Sequence, residues 1–136
     1  MFLKGISLFA MARKTRERKY KNLAKKSLAS IKDWAEKGNP NVGHCTSLLD
    51  AELAALNART HVPKKHYEVA AMLAGRGGFV RDAALANERY GEFQLEDMSD
   101  REEAAFRFQE AIKLYLEWEA RAKAELLSAK YGYLWS

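Results

Sequence analysis

Three times in 136 residues the chain repeats one pattern of small and apolar residues at a spacing near forty, which leaves few architectures open. Ala12, Ala51 and Gly91 are small residues near the end of one helical stretch. Twelve or thirteen residues after each begins a trio in a second stretch: Ala24, Leu28, Ile31; Pro63, Tyr67, Ala70; and Ala104, Phe108, Ala111. Successive small residues lie 39 and 40 apart, and successive trios 39 and 41 apart. Self-similarity at a fixed period predicts helix pairs that each bury an apolar face on the next. The expected fold class is therefore all-α.

Local signals place the helices. The first pair is expected at about 2–14 and 17–37, the second helix carrying Tyr20, Leu23, Ala24, Leu28, Ile31, Trp34 and Ala35 on one stripe. Gly38 suits the left-handed residue that closes a helix, and Asn39-Pro40 prevents continuation. The second pair is expected at about 43–59 and 63–75. Pro63 fits a first turn, where its missing N–H costs nothing, and Gly75, Gly77 and Gly78 break the chain. The third pair is expected at about 80–95 and 100–118, with Ser99 and Glu102 at capping-box spacing. A last helix at about 120–133 leads to an apolar finish of Tyr131, Tyr133, Leu134 and Trp135.

Composition narrows the function classes. With 48% hydrophobic and 30% charged residues and two prolines, the chain can bury a core and is not a disordered tail. Cys45 is the single cysteine, so an internal disulfide and a cysteine metal quartet are excluded; a reducing, cytoplasmic setting is expected. No apolar run reaches the roughly 20 residues a membrane span needs. Met1–Ala12 imitates a signal or targeting segment, with Lys4 followed by an apolar run and Ala10-Met11-Ala12. Because Phe2, Ile6, Phe9 and Ala12 share a helical face and Ala12 is in register, a structural first helix is expected instead.

The small residue followed by a small-x3-aromatic-x2-small trio resembles tetratricopeptide-type repeats, best in Tyr90-Gly91 with Ala104, Phe108 and Ala111. The chain lacks that family's early tryptophan and terminal proline, and its period exceeds the usual ~34 residues. The resemblance implies three antiparallel helix pairs stacked as a short right-handed solenoid, in a single domain with repeats at about 1–38, 42–77 and 79–118 plus a C-terminal helix. Residues 78–123 are also similar to helical-repeat regions of large signalling proteins that couple kinase-like and NTPase modules to an output domain. Gly78-Phe79, Asp82 to Phe93, and Tyr115-x2-Trp118-x-Ala120-x-Ala122-Lys123 carry that likeness. Glu119 stands where the pattern has glycine, so the helix begun near Asp100 is free to run on.

No catalytic spacing is present. His44 and Cys45 are neighbours whose side chains leave a helix about 100° apart, so they are not expected to pair with each other; His61 and His66 complete the histidines. Gly75-Arg76-Gly77-Gly78 lacks the lysine and preceding strand of a phosphate loop and reads as an interhelix break. A non-enzymatic chain without catalytic, metal or cofactor residues is expected.

Charge is the second signal. Residues 1–40 hold eleven Lys/Arg and three Asp/Glu; residues 41–136 hold twelve and fifteen, so halves of +8 and −3 make the net +5. A basic patch is expected at Arg18, Lys19, Lys21, Lys25 and Lys26, with Tyr20 the one aromatic in the run. Such a patch suits nucleic acid or an anionic membrane, or a solvated helix face. By the repeat resemblance, the first helix of each pair lines a groove. Its positions would include Phe9, Arg13 and Arg16, then Leu48, Glu52 and Ala55, then Glu88, Glu92 and Leu95. Arg13, Arg16, Glu52, Glu88 and Glu92 would form a partner groove, basic at one end and acidic at the other, whose acids face a basic segment of a protein partner. The leading functional expectation is a protein-interaction scaffold. The alternatives are a repeat segment relaying conformation within a multidomain signalling protein, and a basic helix pair binding nucleic acid or membrane. Both apolar chain ends are expected to seek neighbours, whether more repeats, a second copy or another domain.

Overall fold

The computed structural model describes residues 2–38, 42–57 and 62–136; Met1, Asn39-Pro40 and His61 lie outside them. The described residues form seven α-helices and no strand: α1 (Phe2–Thr15), α2 (Arg18–Glu36), α3 (Gly43–Leu56), α4 (Val62–Arg76), α5 (Val80–Glu96), α6 (Arg101–Glu117) and α7 (Arg121–Tyr131). A short 3-10 turn, Gly132–Leu134, follows. The all-α expectation holds, and helix ends fall within a few residues of those read from capping and breaking signals. The helices belong to two compact units, Met1–Ala70 and Ala71–Ser136.

In the N-terminal unit α1 packs on both α2 and α3, and α2 packs on α3. Gly5 permits the close approach: a Cβ there would stand 3.1 Å from Leu49 Cδ2 and 3.3 Å from Ser27 Cβ. Phe9, Ala12, Ala24, Leu28, Ile31, Leu48, Leu49 and Ala51 are buried. The expected α2 stripe is too wide, because Leu23 and Trp34 face solvent and only Ala24, Leu28 and Ile31 reach the core.

In the C-terminal unit α6 is flanked by α5 and α7. Ala84, Ala104, Phe108, Ala111, Tyr115, Ala124, Leu127 and Tyr131 make the core. Gly91 lies flush against Phe108, where a Cβ would come within 2.8 Å of the ring. On this ring Tyr131 stacks with centroids 3.8 Å apart and planes 8° from parallel. The apolar finish therefore folds back rather than standing open: Leu134 and Trp135 pack against the same core, and only Tyr133 remains exposed, with Arg101 5.7 Å from its ring.

The second helix of each repeat ends on a left-handed residue: Gly38 (φ 94°), Gly78 (φ 75°) and Glu119 (φ 64°). At Gly78 the N–H of Gly78 donates to Gly75 O (3.2 Å) and that of Phe79 to Ala74 O (2.9 Å). At Glu119 the same pair recurs, Glu119 N–H to Leu116 O (2.9 Å) and Ala120 N–H to Tyr115 O (2.7 Å). This double bond pattern is the Schellman closure, which favours glycine at the left-handed position. Without glycine the helix still stops, so of the two courses the sequence left open α6 ends and residues 121–131 form the separate last helix; packing of Ala124, Leu127 and Tyr131 on α6 offsets the left-handed strain. The start of α6 also differs from expectation. Asp100 is its N-cap and accepts from Glu103 N–H (3.1 Å), while Ser99 is itself left-handed at φ 53°.

Candidate functional site: a basic pocket and internal carboxylates

The residues expected to form one groove have different fates. Glu52 is 2% exposed and accepts a short hydrogen bond from the Tyr67 hydroxyl. Glu88 is 7% exposed; it accepts from Tyr115 Oη (2.8 Å) and from Lys123 Nζ (3.3 Å). Glu92 is half-buried, paired with Arg89 (2.7 Å) and accepting from Tyr131 Oη (3.2 Å). Phe9 and Leu48 are buried as well. The acidic wall expected at a surface is therefore absorbed into the interior: burying a carboxylate is costly unless donors satisfy it, and here tyrosine, lysine and arginine supply them. Burial and the neighbouring Glu88 carboxylate push the Tyr115 hydroxyl far above its ordinary range, and burial with Glu92 does the same to Tyr131.

The repeat explains where the tyrosines come from. Glu52 and Glu92 each follow the small residue of their first helix, Ala51 and Gly91. In the second repeat the trio's aromatic is Tyr67, whose hydroxyl reaches Glu52. In the third the equivalent residue is Phe108, which has no hydroxyl; Tyr131, stacked on Phe108, donates to Glu92 instead. At the corresponding places the first repeat has Arg13 and Leu28.

The basic residues remain outside. Arg16, Arg18, Lys19, Lys25 and Lys26 are exposed, and Arg13 and Lys21 are half-buried. Arg16, Arg18 and Lys21 meet around one pocket of about 210 Å³, completed by Ala12, Glu17 and Leu56. The pocket exists because α1 stops abruptly: Arg16 adopts φ 61°, its N–H bonded to Ala12 O (2.8 Å), and α2 begins two residues later at Arg18. Lys21 is set by a hydrogen bond from Nζ to Asn57 Oδ1 (2.8 Å) at the end of α3. Glu17 leans toward Lys19 (3.5 Å). Lys25 and Lys26, further along α2, do not line the pocket. Two of the expected groove and patch sets thus meet here through one member of the first and two of the second. Sequence reasoning missed the convergence; the signal available was the Arg13 to Lys21 charge run across a helix break.

Two motifs considered for chemistry resolve differently. His44 Nε2 lies 3.4 Å from Cys45 Sγ, against the expectation that adjacent helical side chains stay apart; both are buried. The imidazole is long enough to swing back over its neighbour, and Phe2 packs edge-on to it with centroids 6.3 Å apart. The glycine run at residues 75–78 spends the N–H groups of Gly77, Gly78 and Phe79 on closing α4, so it is an interhelix break.

No family model matches the chain, nor does any curated protein or solved structure. Among the described residues no helix is long and apolar enough to cross a membrane. What the fold defines is an all-α bundle in which neighbouring helices pack on one another.

Proposed function

We propose that this chain is a tetratricopeptide-like helical-repeat scaffold that binds a partner protein and performs no chemistry of its own. One observation carries the reading: the repeat register is filled throughout. Ala12, Ala51 and Gly91 are buried, and so are all nine trio residues from Ala24 to Ala111. A register spent on helix–helix packing is what repeat architectures use to present surface to other proteins. The structure no longer favours a basic partner segment against Glu52, Glu88 and Glu92, because their carboxylates are engaged internally. The test is reconstitution: capture partners on the immobilised chain, purify them, and measure direct binding by calorimetry. A saturable complex of defined stoichiometry, unchanged by Cys45→Ser, is expected. Finding no purified partner that binds, or a turnover lost in Cys45→Ser, sinks the reading.

A further inference from the structure

We propose that the pocket bounded by Arg16, Arg18 and Lys21 receives the carboxylates of an acidic segment of the partner protein; this rests on the scaffold reading above. Three cations and one acid line a recess of about 210 Å³ whose remaining wall, Ala12 and Leu56, is apolar. The two guanidinium groups present planar forks suited to bidentate carboxylate binding. Lys21 donates once to Asn57 and has two further ammonium hydrogens to give. The one opposing charge of the lining, Glu17, also pairs at 3.5 Å with Lys19, which is not part of the lining. Beyond the recess, the +8 charge of residues 1–40 supplies long-range attraction for an acidic chain.

Geometry favours a peptide over other polyanions. Single-stranded nucleic acid held without base readout is gripped by stacking on aromatic faces, and the one aromatic in the basic run, Tyr20, is half-buried with Lys19 Nζ 5.0 Å from its ring centre. A recess takes a protruding side chain, whereas a membrane offers a plane of headgroups. Glutamate or aspartate fits: a charged tip for the arginines and a short apolar stem for Ala12 and Leu56.

The experiment is fluorescence anisotropy with a labelled Glu-rich peptide at low salt, comparing two double variants that remove equal charge. Arg16→Gly with Arg18→Ala removes two of the pocket's three cations; Lys25→Ala with Lys26→Ala removes two cations beyond it. Glycine relaxes the left-handed residue 16, so the first variant should melt no lower than the parent, and any lost binding is not unfolding. The pocket variant is expected to weaken binding about tenfold or more and the outer variant by less than about threefold. Equal losses in the two variants overturn the proposal, as does displacement of the peptide by single-stranded RNA or phosphatidylserine vesicles at lower concentration than by unlabelled peptide. Undiminished partner capture by the pocket variant overturns the pocket alone; a parent chain that captures nothing overturns the scaffold reading instead.

Discussion

In the N-terminal unit α1 packs on α2 and α3 with Gly5 against Ser27 and Leu49, Phe9, Ala12, Ala24 and Leu28 are buried, and the described lysines and arginines are exposed or half-buried. In the C-terminal unit α5 meets α6 through Gly91 and Phe108, and two glutamates point inward to tyrosines of α6 and α7. The first repeat of the N-terminal unit spends its register on apolar packing and keeps its cations at the surface, while the second repeat buries Glu52 against Tyr67. The C-terminal unit consumes its charge in fastening three helices together: Tyr115 and Lys123 hold Glu88, and Arg89 and Tyr131 hold Glu92. One repeat pattern thus carries a basic surface at its first copy and internal carboxylates at the other two. The residue following the small position differs accordingly, Arg13 in the first repeat, Glu52 in the second and Glu92 in the third.

The comparison breaks most readily at Phe108. Phe108→Ala leaves a hole between Gly91 and Tyr131 and should cost the C-terminal unit about 3–5 kcal/mol in urea unfolding. A loss under ~1 kcal/mol would mean that the ring is not the wedge between the helices. Gly91→Ala comes next. Its methyl would meet a ring that Tyr131 holds from stacking distance, so about 1–3 kcal/mol of overpacking is expected, although the matching positions 12 and 51 already carry alanine. A neutral outcome would show that Phe108 is free to yield.

Tyr115→Phe sharpens the electrostatic side of the contrast. It removes one donor from Glu88, with Lys123 remaining, at an expected cost of about 1–2 kcal/mol. Tyrosine pKa values raised in the folded state give a definite sign: the unfolded chain releases those protons first as pH rises. The stabilising contribution is therefore full below pH ~10 and declines above it. Chemical denaturation across that window should show the decline in the parent and a shallower one in Tyr115→Phe; identical slopes would contradict the buried tyrosine–glutamate pair.

The smallest effect is expected at the helix end between α6 and α7. Glu119→Gly relieves a left-handed residue in a closure that already uses glycine at position 78, so a gain of up to ~1 kcal/mol is expected by thermal melting. A destabilised variant would show that the glutamate side chain itself holds the turn.

Helices were legible where one residue controls one local event. Gly38, Gly78 and Pro63 mark ends and starts because each has a conformational property no neighbour must supply, and the trios mark the core because burial follows their period. The missed features are those decided by distant partners. Glu119 looks unable to stop a helix until α7 is seen packed on α6. The tyrosine donors lie 15, 27 and 39 residues beyond Glu52, Glu88 and Glu92, so nothing local distinguishes those acids from solvated ones. The pocket needed the left-handed Arg16, an unusual choice at a site where glycine is the relaxed residue, to bring Arg16, Arg18 and Lys21 around one recess.

At 15.5 kDa the chain suits amide-resolved NMR, and titrating the isotopically labelled protein with the Glu-rich peptide tests the contrast most directly. Shift changes that saturate and cluster at Ala12, Arg16 to Lys21, Leu56 and Asn57 are the predicted result. Changes spread evenly along α2 to Lys32, or centred on Glu88 and Glu92, would contradict the division between a binding first repeat and the clamped C-terminal unit.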